Sequence, residues 1–329
     1  VMKYRKFSDL GWNVSEVGLG CWQLGWGWGN IVSEQDVREL LNETINKGIN
    51  FFDTSDTYGD GRSEKFLSEI IRSTSEKIYV STKLGRRVRG TNYPKGYKHE
   101  PMEEFIDRSL INLGVECIDL LQLHCPPSEI ISRKETFDTM DEIVKKGKVA
   151  NYGVSVWKIS DAMEAIKNPN VKSIQIVFNI FRQKPAEFFF SEAKKKNVAI
   201  IVRGPLASGL LTGKINKETK FAENDHRNYN INGEAFDIGD TFSGVNFENG
   251  LKAVEKLKKL VPDNFSLSTL ALKWILSHDA VSVVIPGSAN KSQVEINAST
   301  SDLEDISDII PQINSIYDEL IKVDVHNRW

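Results

Sequence analysis

A closed (β/α)8 barrel of the TIM type is the fold this sequence predicts, and two observations predict it. The first is a series of eight short apolar runs: EVGLGCW (16–22), INFFD (49–53), KIYVSTK (77–83), CIDLLQLH (117–124), VANYGVSV (149–156), KSIQIVFN (172–179), VAIIVRG (198–204) and VSVVIP (281–286). Most are nearly continuous in apolar residues, as parallel strands covered on both faces are. The second is what separates them, amphipathic stretches with helical start and stop signals. Ser33 with Asp36 reads as a capping box, and Gly48 stands where a helix ends. Pro101 opens PMEEFIDRSLINLG at a first-turn position and Gly114 closes it. A doubly wound sheet is the competing arrangement. No GxGxxG opens a helix after the first strand, however, and GLG at 18–20 is too short for that motif. The expectation is one barrel domain over residues 1–329.

Two segments stand outside the strand–helix rhythm. KYRKFSDLGWNVS (3–15) reads as a β-hairpin with Leu10-Gly11 at its turn, expected to plug the barrel floor. From about Lys214 to Val245 the chain is rich in Asn, Asp and Gly and has neither helical nor strand periodicity. A loop of that length in a compact domain is usually functional or disordered. Because it follows the seventh strand, it is expected over the carboxyl-end face, where barrel active sites are built.

Composition narrows the function class. With 40% hydrophobic and 26% charged residues the chain is an ordinary globular one. A net charge of -3 gives no electrostatic reason to expect nucleic acid or an anionic membrane as partner. Cys21, Cys117 and Cys125 form no CxxC pair and have no His-rich neighbourhood, so reduced thiols are expected and no metal. No run approaches the roughly 18 apolar residues of a membrane span. VMKYRKFSDLGWNVSEV lacks the apolar core of a signal peptide. A cytoplasmic protein with no obligate protein partner is the expectation.

Titratable residues at the ends of buried strands carry the chemistry. Asp53 ends INFFD, Lys83 ends KIYVSTK and His124 ends CIDLLQLH, on consecutive strands, while Tyr58 lies five residues past Asp53. Each alone has an ordinary structural explanation; together they make a proton-donor site. A tyrosine near its usual pKa of about 10 parts poorly with its proton at neutral pH. A neighbouring ammonium favours the phenolate, and an aspartate holds that ammonium charged and oriented. A histidine can then hydrogen-bond the substrate oxygen or relay a proton. Asp56 is expected as a pocket-rim or turn residue, and Ser63 and Glu64 as the start of the next helix.

DTSDTYG, VSTKLG, LLQLHCP and GVSVW follow one another in the order, and at the strand ends, of the aldo-keto reductase superfamily, which the chain resembles over nearly its whole length. Within that superfamily it is most similar to the branch of bacterial reductases and potassium-channel β subunits. The resemblance implies that Tyr58 is the general acid for carbonyl reduction, tuned by Lys83 and Asp53, with His124 orienting the carbonyl. It also implies a nicotinamide dinucleotide across the barrel mouth, NADPH favoured over NADH. Ser155 and Gln175 would then hold the carboxamide, while Val156 replaces a common Asn and Arg203 a common aromatic. Gly204, Pro205, Leu206, Ser208, Gly209 and Lys214 would meet the pyrophosphate. Gly287, Ala289, Gln293 and Asn297 would meet the adenosine end, Ile296 replacing the usual Glu. Lys291, Lys214 and Arg227 are the candidate partners of a 2′-phosphate.

Trp22, Trp26 and Trp28 follow the first strand, and Trp157 follows Ser155. Trp22, Trp26 and Trp157 are the expected substrate contacts. Aromatic walls admit apolar carbonyls and also stack on sugars. A reductase of aldehydes or ketones, a sugar or nucleotide-sugar ketoreductase, and a slow NADP(H)-binding redox sensor therefore all stand as readings.

Overall fold

The computed structural model describes residues 1–25, 32–86 and 99–329, with the backbone alone for 99–101. The chain opens with an antiparallel hairpin, β1 (Tyr4–Phe7) and β2 (Trp12–Ser15), turning through Gly11 at φ +72°. Eight parallel strands then pair in chain order: β3 (Leu19–Gly20), β4 (Phe51–Asp53), β5 (Tyr79–Leu84), β6 (Ile118–His124), β7 (Val149–Ser155), β8 (Val171–Val177), β9 (Ala199–Arg203) and β10 (Val281–Val284). The first and last of the eight meet. Gly18 N–H donates to Val284 O at 2.8 Å, Val284 N–H to Glu16 O at 2.9 Å and Gly20 N–H to Pro286 O at 3.0 Å. The eight-stranded sheet therefore closes into a barrel.

Side-chain alternation along each strand sorts residues into two cores. Phe52, Val80, Leu121, Val154, Ile174, Ile200 and Val284 point outward to the helices. Phe51, Tyr79, Leu120, Ala199, Ile201 and Val283 point into the barrel, where Phe7 and Val14 of the hairpin join them. The Phe7 ring lies 5.4 Å from that of Phe51, and Trp12 4.5 Å from Tyr79. The hairpin thus plugs the amino-terminal end with apolar side chains. Higher in the barrel the inward positions turn polar, with Ser81, Gln122, Ser173 and Gln175 all buried. At the carboxyl end they are Asp53, Lys83, His124, Ser155 and Arg203.

Helix boundaries follow the local signals. The Ser33 hydroxyl accepts from Asp36 N–H at 3.1 Å at the start of the helix Glu34–Asn46, and Gly48 leaves it at φ +77°. The Asp36 side chain takes the Ser33 hydroxyl hydrogen at 2.6 Å, so this is a one-way cap and not a full capping box. The helix His99–Leu113 contains Pro101 and ends at Gly114, φ +66°. Among the described residues no helix is long and apolar enough to cross a membrane.

The stretch after β9 has more structure than its sequence suggests. It contains the short helix His226–Tyr229 and two 3-10 turns, Ile238–Asp240 and Phe242–Gly244. Trp329 pins it: its Nε1 donates to Asp237 Oδ1 at 3.0 Å and its ring lies 3.7 Å from the Arg182 guanidinium. Gly244 makes that contact possible, since a Cβ there would come to 2.3 Å of the indole.

Candidate active site

Register between β4, β5 and β6 brings Asp53, Lys83 and His124 to one end of the barrel. The Lys83 ammonium uses its three donors on Asp53 Oδ2 at 2.5 Å, Thr54 O at 2.8 Å and Tyr58 Oη at 3.4 Å. The other Asp53 oxygen accepts from Gln175 Nε2 at 2.7 Å and Gln122 Nε2 at 3.2 Å. Both ions are buried, so the pair survives only because its hydrogen bonds are nearly complete. Burial pulls the Lys83 pKa down, but the Asp53 charge and Tyr58 outweigh it and the net direction is up. Lys83 is an ammonium at neutral pH.

Tyr58 sits on the turn after β4, its N–H donating to Ser55 O at 3.1 Å. Gly25 lets the loop after β3 lie on this turn, because a Cβ there would be 2.5 Å from the Tyr58 carbonyl carbon. A neighbouring ammonium lowers a phenol pKa, and from the sequence Lys83 is expected to act on Tyr58 in this way. In the structure burial acts more strongly and in the opposite direction, so the net shift is up, with Lys83 pulling part of it back. His124 lies edge-on to Tyr58 at 6.2 Å, with Nδ1 at 3.2 Å from Ser55 Oγ. Burial, then the Arg86, Lys83 and Arg203 charges, hold its imidazole well below the ordinary histidine range, so it is neutral.

A second cluster faces this one. Arg203 ends β9 and donates from Nη1 to Asp240 Oδ1 at 2.5 Å and from Nη2 to Val156 O at 3.2 Å. Nη2 also lies 3.6 Å from Cys125 Sγ, which is 3.5 Å from the hydroxyl of buried Ser155. The Arg203 Nε–H is buried and has no partner among the described residues. The second Asp240 oxygen accepts from Trp157 Nε1 at 2.8 Å, and the Arg86 guanidinium lies 4.7 Å over the Trp157 ring. Burial would raise the Asp240 pKa, but the Arg203 charge and hydrogen bond bring it below the ordinary value.

Beyond Arg203 the backbone turns through left-handed conformations at Gly204 (φ +61°), Ala207 (+48°), Ser208 (+55°) and Gly209 (+96°). Ser208 Oγ accepts from Phe242 N–H at 3.0 Å and donates to Asp240 O at 3.2 Å. Arg227 reaches Ser208 O at 3.4 Å and pairs with Asp225 at 2.6 Å. Pro205 is buried, Leu206 half-buried and Lys214 exposed. Across the barrel closure, Asn290 caps the helix Lys291–Ser299. Ala289 N–H donates to Gln293 Oε1 at 2.7 Å, and buried Asn297 donates to Ser288 Oγ at 3.2 Å beside exposed Gly287. Trp22 is 38% exposed, with its ring 5.3 Å from Tyr58 and 6.4 Å from His226. Trp26 and Trp28 lie outside the described residues.

The sequence profile of the Aldo/keto reductase family matches residues 16–318. The chain belongs to that family. It is 28% identical to the aldo-keto reductase YhdN of Bacillus subtilis, over 94% of this chain and 92% of that protein. It is equally 28% identical to a probable voltage-gated potassium channel subunit beta of Arabidopsis thaliana, over 92% of each. Among solved structures, an aldo-keto reductase of Bacillus halodurans in its holo form superposes with a TM-score of 0.76 at 25% identity, covering 100% of this chain and 99% of that one. An aldo-keto reductase of Klebsiella pneumoniae solved in complex with NADPH has the same fold, with a TM-score of 0.70 at 17% identity over 96% and 95% of the chains. This protein is therefore an oxidoreductase of the aldo/keto reductase family.

Several residues of this aldo/keto reductase that shape the site escaped sequence reasoning. Gln122 shares Asp53 with Gln175, and inward alternation on β6 was the signal that could have found it. Glu64, expected merely to start a helix, is fully buried and accepts from Thr82 Oγ1 at 2.7 Å and Asn112 Nδ2 at 2.9 Å. Asp56, expected as a pocket-rim or turn residue, lies in the turn after β4 but is 1% exposed. Arg86, His226 and Asp240 lie on loops whose composition gives no hint of their partners.

Proposed function

We propose that this aldo/keto reductase reduces the carbonyl of an aldehyde or ketone to an alcohol using NADPH, with Tyr58 as the general acid. The observation that carries the reading is the chain of contacts from Asp53 through Lys83 to the Tyr58 hydroxyl. Burial keeps the phenol protonated until a developing alkoxide offers a stronger base. Lys83 then stabilises the phenolate that remains, and Asp53 keeps Lys83 charged and aimed. Neutral His124, its Nδ1 at 3.2 Å from Ser55 Oγ, can hydrogen-bond the substrate oxygen. Trp22, 5.3 Å from the Tyr58 ring, and Trp157 are the proposed apolar contacts of the substrate.

NADPH, when bound, supplies the hydride. The residues present fit such a cofactor: Arg203 Nε–H is buried without a partner among the described residues, Ser208 and Gly209 hold left-handed backbone just past the strand end, and a capped helix begins at Lys291. Ser155 and Gln175 are the proposed carboxamide partners, and Gln175 would trade its bond to Asp53 for one to the cofactor. Gly204, Pro205, Leu206 and Lys214 line the pyrophosphate side, and Gly287, Ala289, Gln293 and Asn297 the adenosine side. The NADPH-bound Klebsiella pneumoniae relative of the same fold supports the choice of cofactor. Fluorescence titration with NADPH and NADH, followed by a panel of aldehydes and ketones, tests the reading. Saturable NADPH binding and carbonyl-dependent NADPH oxidation are expected; binding without turnover of any carbonyl would contradict it.

A further inference from the structure

Arg203 brings a full positive charge to the reaction centre. Its field reaches Tyr58 and His124, in both of which it lowers the pKa. Burial would pull the guanidinium toward neutrality, yet Asp240 holds it charged. Asp240 stands 37 residues further along the chain, on the loop after β9, and its two oxygens take Arg203 Nη1 and Trp157 Nε1. The carboxylate is not held by these two bonds alone. Its backbone oxygen accepts from Ser208 Oγ, and the neighbouring Asp237 is fixed by Trp329. Arg86, stacked over the Trp157 ring, adds a second positive charge whose effect also reaches Asp240.

A cation this close matters differently to the two forms of a nicotinamide. The reduced ring is neutral, whereas giving up hydride leaves a ring with one positive charge. A bare guanidinium beside the reacting atoms would repel the oxidised form and leave the reduced form nearly unaffected. We infer that Asp240 is a positioning counterion: it fixes the Arg203 guanidinium and, by neutralising it, sets the relative affinity of the site for oxidised and reduced cofactor. This rests on the reading that a nicotinamide cofactor reacts beside Tyr58.

The test is a pair of dissociation constants, NADPH by fluorescence titration and NADP+ by competition against it, for wild type, Asp240→Asn, Arg203→Gln and Trp157→Phe. Asp240→Asn keeps the shape and removes the charge, so the ratio Kd(NADP+)/Kd(NADPH) should rise about tenfold, or about 1.4 kcal/mol. Arg203→Gln removes the cation and leaves the carboxylate, so the same ratio should fall. Trp157→Phe breaks one bond to Asp240 without changing charge and should leave the ratio unchanged. A merely structural role would weaken both cofactors alike. An unchanged ratio in Asp240→Asn, or the same direction of change in Asp240→Asn and Arg203→Gln, overturns the inference. If Asp240→Asn fails to fold, the Arg203→Gln ratio decides, a fall supporting the inference and no fall overturning it. Absence of saturable binding of either cofactor to wild type would instead overturn the functional reading and the inference with it.

Discussion

Two ion pairs face each other at the barrel mouth, and they are built differently. Lys83–Asp53 joins neighbouring strands, with side chains 1% and 4% exposed and every ammonium donor engaged. Arg203–Asp240 joins a strand end to a loop, with side chains 19% and 18% exposed and the guanidinium Nε without a partner among the described residues. The difference separates a pair held by the sheet from a pair held by a loop, which in the proposed reaction would serve the proton donor and the cofactor respectively. Lys83–Asp53 is fixed by sheet register and cannot move without the barrel. Arg203–Asp240 hangs on a loop that can open locally at lower cost.

Breaking the strand-borne pair should have the largest effect. Lys83→Met leaves the Asp53 carboxylate buried with only amide donors, which should cost about 3–5 kcal/mol of stability in urea unfolding. Asp240→Asn, in the more exposed pair, should cost about 1–3 kcal/mol, with faster proteolysis confined to residues 214–245. An Asp240→Asn loss as large as that of Lys83→Met would erase the distinction between the two regions.

A smaller effect comes from pH. Burial holds His124 well below the ordinary value of 6.5, and burial also lowers His226 on the loop. Groups with depressed pKa in the fold contribute stability that is present above the unfolded pKa. It is lost as pH falls, because the unfolded chain takes up protons that the fold refuses. The melting temperature should therefore drop between about pH 7 and pH 5. His124→Gln should reduce that drop more than His226→Gln, and equal relief from the two would contradict the greater burial of the strand-borne site.

What was legible in the sequence follows the same division. The eight strands, the plugging hairpin and the strand-end residues Asp53, Lys83 and His124 could be read because short-range pattern fixes them. Apolar runs mark strands, and a charge at the end of such a run has few places to go. The polar layer of Ser81, Gln122, Ser173 and Gln175 was harder to see. Single polar residues within apolar runs look like interruptions until alternation assigns them all to the barrel interior. Asp240 could not be found, because its partner lies 37 residues away and its position depends on Ser208, Asp237 and Trp329. The direction of the Tyr58 shift also went the other way, since a sequence shows which charge is near but not how much water has been removed.

The claim that Tyr58 donates the proton is tested most directly by single-turnover carbonyl reduction with Tyr58→Phe enzyme preloaded with NADPH. The account predicts cofactor affinity within about twofold of wild type and a reduction rate lower by about 10²–10⁴-fold. A rate close to that of wild type would contradict it, and so would loss of cofactor binding in this conservative variant.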